Sequence, residues 1–369
     1  MSSFLEIMNF NEKKISGNYV AGLVQADGSF SVALSRKKRN DKTYFFLSPS
    51  FTIVQNIKYK DVILQIQKLF GNIGHWYINK SDNTIRYQIT KQKDLLEVVI
   101  PFFIKYQLKS GKLYSFLCFK YILEVMASKA HVNNKPVLLN LIVIASNMNP
   151  LGKIGNSVRY LDKEEQKFIE NNIMTIPEMS KDLQENIDKF VSNSLTLEYL
   201  HGLIDGDGNI TVYLVPHTNV DKDIKYSIGC SFTIVQDIHN LSLLEEIKKY
   251  FNNVGSILNI SNNCVLYKVS SKIDLLNTIL PKLTNIGNIE DISDGSPEDP
   301  GRVLPARSLP LIKYNKFFYT WKILNSCPVG TIQQKHIFDN IIKWLYYVSK
   351  HSDTIELKEY LKKEYWKKN

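Results

Sequence analysis

The 369-residue sequence has little cysteine and no long apolar run. Its four cysteines, Cys118, Cys230, Cys264 and Cys327, form no C-x-x-C pair, which argues against a disulfide framework and a structural zinc site. No apolar run reaches about 18 residues, so the sequence predicts no transmembrane helix. The first residues lack the basic and apolar pattern of a signal peptide and the arginine-rich pattern of a transit peptide.

What the sequence does contain is material for hydrophobic cores and an excess of positive charge. Hydrophobic residues make up 44%, which excludes a disordered chain. The length fits two domains of roughly 100–200 residues each. Lysine and arginine number 46 against 36 aspartate and glutamate, giving a formal net charge of +10. This balance favours an anionic partner.

The sequence repeats itself with an offset of 180 or 181 residues. Residues 50–57 (SFTIVQNI) return as residues 231–238 (SFTIVQDI), identical at seven of eight positions. Residues 19–29 (YVAGLVQADGS) return as residues 199–209 (YLHGLIDGDGN). Further pairs at the same offset are Gly74 and Gly255, Asp94 and Asp274, and Pro101 and Pro281. Several matches in one register indicate a duplicated structural unit.

The hydrophobic pattern of each half predicts a helix, two strands, a helix, two strands and a final helix. In the first predicted strand Phe30, Val32 and Leu34 alternate with Ser29 and Ser31, as expected for a half-buried strand. One sheet face is therefore apolar and the other polar or basic, so helices should cover only one side. The sequence predicts an α+β fold of two pseudo-symmetric αββαββα repeats, each with an antiparallel four-stranded sheet.

The predicted boundaries separate two repeats from a connection and a tail. The first repeat covers residues 1–130, and residues 131–193 form its end and the inter-repeat tether. The second repeat covers residues 194–350 and contains an acidic, Pro- and Gly-rich segment at about 285–308, which we expect to be a surface insertion. Residues 351–369 form a basic C-terminal tail.

Small residues four positions apart predict that the two opening helices pack closely together. These residues are Gly22, Ala26, Gly202 and Gly206. Each helix ends in an aspartate followed by glycine, so Asp27 and Asp207 would meet at the negative ends of two helix dipoles. Two carboxylates in that position need a cation between them, and carboxylate and carbonyl oxygens suit Mg²⁺.

The segments ending at Asp27 and Asp207 resemble the paired motifs of the LAGLIDADG homing endonucleases in their single-chain, two-repeat form. The resemblance extends to the FTIVQ segments of both halves. It implies a monomeric, intron-encoded nuclease that makes a metal-dependent double-strand break with 3′ overhangs in a long asymmetric site. Its partner would be double-stranded DNA, with no membrane. Its cofactor would be Mg²⁺, with Mn²⁺ as a substitute and Ca²⁺ supporting binding without cleavage.

The resemblance also implies roles for individual residues. Asp27 and Asp207 would be the metal-binding catalytic residues, and the carbonyl oxygens that precede them, on Ala26 and Gly206, would approach the ions. Two Mg²⁺ ions would polarise the phosphodiester and ready a water for in-line attack.

Two further residue types complete the implied site. Gln55 and Gln236 would orient water near the metals. Lys112 would be the electrostatic helper of the first repeat. Counting along the second repeat leads to position 314, a tyrosine, with Lys313 and Lys316 beside it. Either lysine could take the role.

The polar sheet faces would lie in flanking major grooves, which admit a β-ribbon and carry a unique code. Alternation directs the following residues of the first repeat toward DNA: Ser29, Ser31, Ser35, Lys37, Ser48, Ser50, Thr52, Arg86 and Gln88. Those of the second repeat are Asn209, Thr211, Tyr213, His217, Ser231, Thr233 and Lys268. Because the two sets differ, we expect an asymmetric target, with Arg86 contacting a guanine.

Two other functions remain open at this stage. A maturase on the same fold would bind its host intron RNA, with or without residual cleavage, although both motif acids are present. A DNA-binding regulator without catalysis accounts for the basic charge but not for the two acids. The abundance of Asn, Lys, Ile, Tyr and Phe is typical of AT-rich genes, so we expect an organelle-encoded mitochondrial protein without an import signal.

Overall fold

The structure is a computed structural model. It describes residues 15–39, 42–148, 161–172, 181, 185, 194–218, 224–284, 313–327, 330–332 and 335–348. The insertion predicted at 285–308 and the tail predicted at 351–369 lie outside these residues. Internal contacts divide the chain into two units. The first is Met1–Gly206 with His239–Leu243, and the second is Asp207–Ile238 with Leu244–Asn369.

The first unit begins with the elements of the first repeat. In chain order they are α1 (Gly17–Asp27), β1 (Gly28–Arg39), β2 (Lys42–Asn56), α2 (Lys60–Leu69), β3 (His75–Asn79), β4 (Thr84–Ile89), α3 (Gln92–Asp94), α4 (Ile100–Lys105), α5 (Ser110–Ala127), α6 (Lys135–Asn147) and α7 (Lys163–Asn171). The four strands form one antiparallel sheet in the order β1-β2-β4-β3.

The second repeat has the same succession of elements as α1 to α6 of the first. They are α8 (Leu197–Asp207), β5 (Gly208–Thr218), β6 (Ile224–Asp237), α9 (Leu241–Tyr250), β7 (Ser256–Ser261), β8 (Cys264–Val269), α10 (Lys272–Asp274), α11 (Leu280–Thr284), α12 (Tyr314–Ser326) and α13 (Lys335–Val348). Its antiparallel sheet has the order β5-β6-β8-β7. The two sheets confirm the predicted α+β fold.

Aromatic side chains fill the core beneath the first sheet. The ring of Phe30 on β1 lies 5.3 to 5.6 Å, centroid to centroid, from four other phenylalanine rings. These are Phe51 on β2, Phe103 on α4, and Phe116 and Phe119 on α5. All five are almost completely buried, so the apolar face is the one that α4 and α5 cover.

The core of the second unit is built on Phe232 of β6. Its ring packs against Phe251, Tyr267 and Phe317 at centroid distances of 6.0 to 6.3 Å. Phe317 lies on α12, which therefore covers the apolar face of this sheet as α5 covers that of the first.

Both repeats share one helical irregularity. A five-residue π-helical stretch, Leu95–Val99 or Leu275–Ile279, precedes α4 or α11, and each of these helices has proline as its second residue, Pro101 or Pro281. Proline has no N–H, and in a regular helix its ring clashes with the carbonyl four residues earlier. The wider π turn accommodates the proline, and its recurrence reflects the duplication.

The segment predicted as the end of the first repeat and the tether contributes to the core of the first unit. Leu141 and Ile142 on α6 and Ile169 on α7 join a buried cluster with Leu34 and Leu47 of the β1–β2 ribbon. The helices α6 and α7 of this segment therefore pack against the β1–β2 ribbon of the first sheet. None of the helices that the structure describes is long and apolar enough to cross a membrane.

Candidate active site and sheet faces

The helices α1 and α8 pack at very short range within the first unit. A Cβ atom added at Gly22 would overlap the carbonyl oxygen of Tyr199, and one added at Gly202 would overlap that of Tyr19. A Cβ at Gly206 would overlap the Cβ of Ala26. The prediction from the spacing of small residues is confirmed, because side chains at these positions would force the two backbones apart.

Two hydrogen bonds cross this helix pair at equivalent positions. The Tyr19 hydroxyl donates to Asp205 Oδ2 at 2.8 Å, and the Tyr199 hydroxyl donates to Gln25 Oε1 at 2.9 Å. The backbone N–H of Lys109 also donates to Gln25 Oε1, at 3.0 Å. Gln25 therefore occupies the same structural position as Asp205, with a neutral acceptor in place of a carboxylate.

The electrostatics of the two tyrosines differ accordingly. Burial, and then the negative charge of Asp205, raise the pKa of Tyr19 well above its usual value, so its hydroxyl remains a donor. Gln25 has a neutral amide whose Nε2 is buried and has no hydrogen-bond partner in the described part of the chain. No sequence signal predicted these bonds, since tyrosine in such a helix is ordinarily read as core.

The motif aspartates end their helices, and each accepts a hydrogen bond from the glutamine that was predicted to orient water near the metals. Gln55 Nε2 donates to Asp27 Oδ2 at 2.5 Å, and Gln236 Nε2 donates to Asp207 Oδ2 at 2.5 Å. The two glutamines are 6% and 5% exposed. Each lies on the long second strand of its sheet, so the sheet fixes the amide and the amide fixes the carboxylate. This arrangement occurs once in each unit.

The lysines also have equivalent positions. Lys112 Nζ donates to the carbonyl oxygen of Gly28 at 2.7 Å, and Lys313 Nζ donates to that of Gly208 at 2.6 Å. Both carbonyls belong to the glycine that follows a motif aspartate. Lys316 Nζ instead donates to Asn209 Oδ1 at 2.8 Å. Lys313 is therefore the geometric counterpart of Lys112.

The donor set at the helix ends fits a hard divalent cation. Carboxylate oxygens of aspartate and backbone carbonyl oxygens of helix C-termini are ligands that Mg²⁺ and Ca²⁺ prefer. Mg²⁺ in particular takes one or two carboxylates from the protein and completes its shell with substrate phosphates and water. Within the described ranges there is no cluster of three or more His, Cys, Asp or Glu side chains that would form a closed protein cage.

The residues predicted to face DNA in the first repeat share the uncovered face of the sheet. The register places Ser29, Thr52, Gln88 and His75 in one row across all four strands. Ser31 and Ser50 form the next row, and their hydroxyl oxygens are 2.8 Å apart. Ser35, Lys37, Ser48 and Arg86 lie on the same face by alternation.

Thr52 departs from its neighbours because it is only 6% exposed. Ser29 and Gln88 flank it in the same row. Thr52 was predicted to contact DNA, and it is the residue of this row that is buried in the sheet. At this position Thr52 can pack against the side chains of Ser29 and Gln88, which flank it in the row.

The second sheet has an equivalent face with different side chains. Asn209, Thr233, Lys268 and Ser256 form the row that corresponds to that of Thr52. The remaining predicted residues follow along β5 and β6, and two of their contacts are side-chain hydrogen bonds, between Thr211 and Ser231 at 2.8 Å and between His217 and Ser227 at 2.7 Å. Tyr213 is 53% exposed and its ring lies over Gly229.

Sequence reasoning missed the apolar and aromatic members of these faces. In the first sheet Arg86 pairs in register with Tyr77, and its guanidinium lies 5.9 Å from the centre of that ring. The corresponding row of the second sheet is apolar: Val235, Leu266 and Leu258. Val235 and Leu258 are 41% and 44% exposed. These positions belong to the same alternation that selected the polar residues, so the alternation could also have predicted that they lie on the uncovered faces.

The sequence profile of the family described as LAGLIDADG endonuclease matches residues 20–123 and 200–289, which together exceed half of the chain. These ranges contain most of each motif helix, including both motif aspartates, and both sheets. The chain belongs to the LAGLIDADG endonuclease family. It thus has the two copies of the motif that a single-chain member needs.

Two fungal relatives of this LAGLIDADG chain are named as intron-encoded enzymes. The chain is 27% identical over 264 residues to "Probable intron-encoded DNA endonuclease 1" of Mycosarcoma maydis, covering 72% of this chain and 90% of that protein. It is 26% identical over 271 residues to "Probable intron-encoded endonuclease 2" of Neurospora crassa, covering 72% of this chain and 55% of that protein.

Solved structures share the fold. The I-LtrWI LAGLIDADG homing endonuclease bound to target DNA aligns with a TM-score of 0.68 at 22% identity, covering 90% of this chain and 97% of that one. I-SmaMI, bound to an uncleaved DNA target in the presence of calcium ions, aligns with a TM-score of 0.66 at 20% identity, covering 90% and 98%.

Proposed function

We propose that this protein is a site-specific homing endonuclease that cuts both strands of a DNA duplex by metal-dependent hydrolysis. The observation that carries the proposal is the duplication of one chemical arrangement. In each repeat a glutamine amide holds the motif aspartate, and a lysine reaches the carbonyl of the next glycine. One such arrangement for each strand would account for a double-strand break, and the family resemblance implies that the break leaves 3′ overhangs.

The proposed metal ligands are the carboxylates of Asp27 and Asp207, with the carbonyl oxygens of Ala26 and Gly206. Divalent ions bound there would supply Lewis-acid activation of the phosphodiester and stabilise the leaving oxygen. Mg²⁺ is the proposed working ion and Mn²⁺ a substitute. Ca²⁺ is expected to support binding without cleavage, in keeping with the calcium-containing complex of I-SmaMI with uncleaved DNA.

The glutamines and lysines of the site would orient the aspartate carboxylates and stabilise negative charge on the phosphate. Gln55 and Gln236 each hold one carboxylate oxygen through a short hydrogen bond, which limits rotation of the aspartate, and their proposed role is to orient water near the metals. Lys112 and Lys313 place an ammonium group beside the motif, where it would stabilise the negative charge that develops on the phosphate in the transition state.

Recognition of the duplex would use the uncovered sheet faces. Arg86, with its guanidinium over Tyr77, is suited to a guanine edge in the major groove. Its counterpart row in the second sheet is apolar and is suited to the methyl groups of thymine. The two halves of the target would therefore differ, and one chain with two repeats would bind it as a monomer.

The names of the fungal relatives support an intron-encoded origin, and with the AT-rich composition they support a mitochondrial location. The boundaries predicted from the sequence remain our proposal for the repeats: 1–130 and 194–350, joined through 131–193. The maturase alternative has no specific support, since both relatives are named as endonucleases.

The test is to incubate purified protein with organellar DNA of the source in Mg²⁺ and to sequence the broken ends. Wild type is expected to give discrete double-strand breaks with 3′ overhangs. Asp27→Asn or Asp207→Asn is expected to abolish them while DNA binding persists. Asp205→Asn is the matched control, because this carboxylate lies on the same helix but bonds Tyr19. Double-strand cutting by both single variants would refute the metal assignment.

A further inference from the structure

The loop that leads into α5 is held in an unusual conformation. Ser110 has a φ of +48°, in the left-handed region that residues with a Cβ rarely adopt. Lys109 and Ser110 are each 6% exposed. Such a conformation persists only where surrounding contacts enforce it. The contacts made by residues 109–111 therefore show what fixes the start of α5.

Residues that follow β6 in the second repeat make two of these contacts. The N–H of Gly111 donates to Asn240 Oδ1 at 3.0 Å, and the hydroxyl oxygens of Ser110 and Ser242 are 2.7 Å apart. A Cβ at Gly111 would lie 3.2 Å from Asn240 Oδ1, so the approach is close. Asn240 is 8% exposed. By its contacts the segment His239–Leu243 belongs to the first unit, although its sequence belongs to the second repeat.

The first repeat supplies the third contact. Gln25 Oε1 on α1 accepts from the N–H of Lys109. Residues 109–111 are thereby held on one side by α1 of the first repeat and on the other by the segment His239–Leu243 of the second repeat. Lys112 is the next residue after Gly111, and its Nζ lies 2.7 Å from the carbonyl oxygen of Gly28. Residues 109–111 fix where α5 begins, and Lys112 lies in the first turn of that helix. The direction of the Lys112 side chain therefore depends on the contacts of residues 109–111.

We infer that Asn240 and Ser242 are positioning residues for Lys112, so that the second repeat holds the lysine that acts in the first. The inference rests on the proposed function, which gives Lys112 its role beside Asp27. Its consequence is specific: loss of these contacts should slow cleavage of one DNA strand, the strand served by Lys112, and leave the other unchanged.

The experiment measures the cleavage of each strand separately on a duplex target labelled at both 5′ ends, with the full-length protein. Lys112→Met first identifies the strand that depends on this lysine. Asn240→Leu is expected to slow that same strand on the order of tenfold to a hundredfold, as small displacements of catalytic groups do, so that nicked product accumulates. The KM for the duplex should not change.

Two variants separate positioning from general damage. Asn240→Asp keeps an acceptor oxygen for the Gly111 N–H and is expected to restore most of the rate. Ser242→Ala removes only one hydroxyl at an exposed position and is expected to slow the same strand by a few-fold. The double variant Asn240→Leu/Lys112→Met should be no slower than Lys112→Met alone, because both changes remove the same contribution.

The outcomes distinguish the inference from the proposed function. If Lys112→Met slows one strand but Asn240→Leu and Ser242→Ala slow neither, or slow both strands equally, the positioning role is overturned while the nuclease assignment stands. If Lys112→Met leaves both strands unchanged, the role of the lysine fails, and the positioning role fails with it. If no variant and no wild-type sample cuts DNA, the proposed function itself is refuted.

Discussion

The two tyrosine bonds that cross the motif helices allow one prediction to be made with a control inside the same chain. Tyr19→Phe removes a hydrogen bond to the carboxylate of Asp205, whereas Tyr199→Phe removes one to the neutral amide of Gln25. Both tyrosines are nearly fully buried, at 0% and 3% exposure, so loss of contact area is minimal and similar. The two variants therefore compare the loss of a bond to a charged acceptor with the loss of a bond to a neutral one.

The expected magnitudes follow from the type of bond. A hydrogen bond to a charged group contributes about 1.5–3 kcal/mol to the free energy of unfolding, and a neutral one about 0.5–1.5 kcal/mol. Gln25 also keeps the Lys109 N–H after Tyr199→Phe, which further limits that loss. Tyr19→Phe should thus cost more than Tyr199→Phe by about 1–1.5 kcal/mol.

The assay is urea denaturation followed by circular dichroism, with the free energy of unfolding extrapolated for each variant. Asp205→Asn provides the decisive background, since an asparagine oxygen still accepts from Tyr19 but carries no charge. In that background Tyr19→Phe should cost no more than Tyr199→Phe does in wild type. Equal losses for the two tyrosines in wild type would refute the argument that the carboxylate charge strengthens the bond.

Further predictions follow from single positions. Gly202→Ala should lower the free energy of unfolding by about 3 kcal/mol and reduce cleavage, because the methyl group overlaps a backbone carbonyl of α1. Gly71 has a φ of +75° and open space where a Cβ would be added, so Gly71→Ala should lower the free energy of unfolding by about 1 kcal/mol and leave cleavage unchanged. If Gly71→Ala reduced cleavage as much as Gly202→Ala, the helix-contact argument would be contradicted. Arg86→Ala should relax discrimination by about 1–3 kcal/mol at one base pair, measured with singly substituted targets; a uniform loss across all targets would indicate a phosphate contact instead. Burial raises the pKa of Tyr87 and Tyr267, so the unfolded chain loses these protons at about pH 10 while the folded chain retains them. Stability should therefore fall as the pH rises above about 10, and the slope of melting temperature against pH should be smaller in the variant with both tyrosines replaced by phenylalanine.

Most of the fold could be predicted from the internal repeat and from the alternation within strands, because both can be recognised in the sequence without knowledge of tertiary contacts. The sheets followed from the repeat and from the alternation. Gln55 and Gln236 were identified through the family resemblance, as residues that orient water, and their hydrogen bonds to the motif aspartates are visible only in the structure. The second lysine did not follow by counting, since the additional residues before α12 shift the alignment and lead to position 314, whereas Lys313 makes the equivalent bond.

Other features depend on tertiary contacts that no sequence pattern records. Thr52 is buried on the face whose other predicted residues are more exposed, and Gln25 accepts a hydrogen bond from a tyrosine 174 residues away. The contact of Gly111 with Asn240 spans 129 residues. A pattern identifies which residues share a face, but not which partner reaches them from a distant part of the chain.

The assignment of His239–Leu243 to the first unit has a consequence for exchanging halves between related nucleases. A chimera made by joining one parent's first repeat to another's second repeat would separate four partners from their counterparts: Tyr19 from Asp205, Gln25 from Tyr199, Ser110 from Ser242, and Gly111 from Asn240. The natural module is therefore not a continuous stretch of sequence. A working hybrid should carry the complete α8 helix and the turn after β6 together with the first half, so that only the remaining sheet and its helices are exchanged.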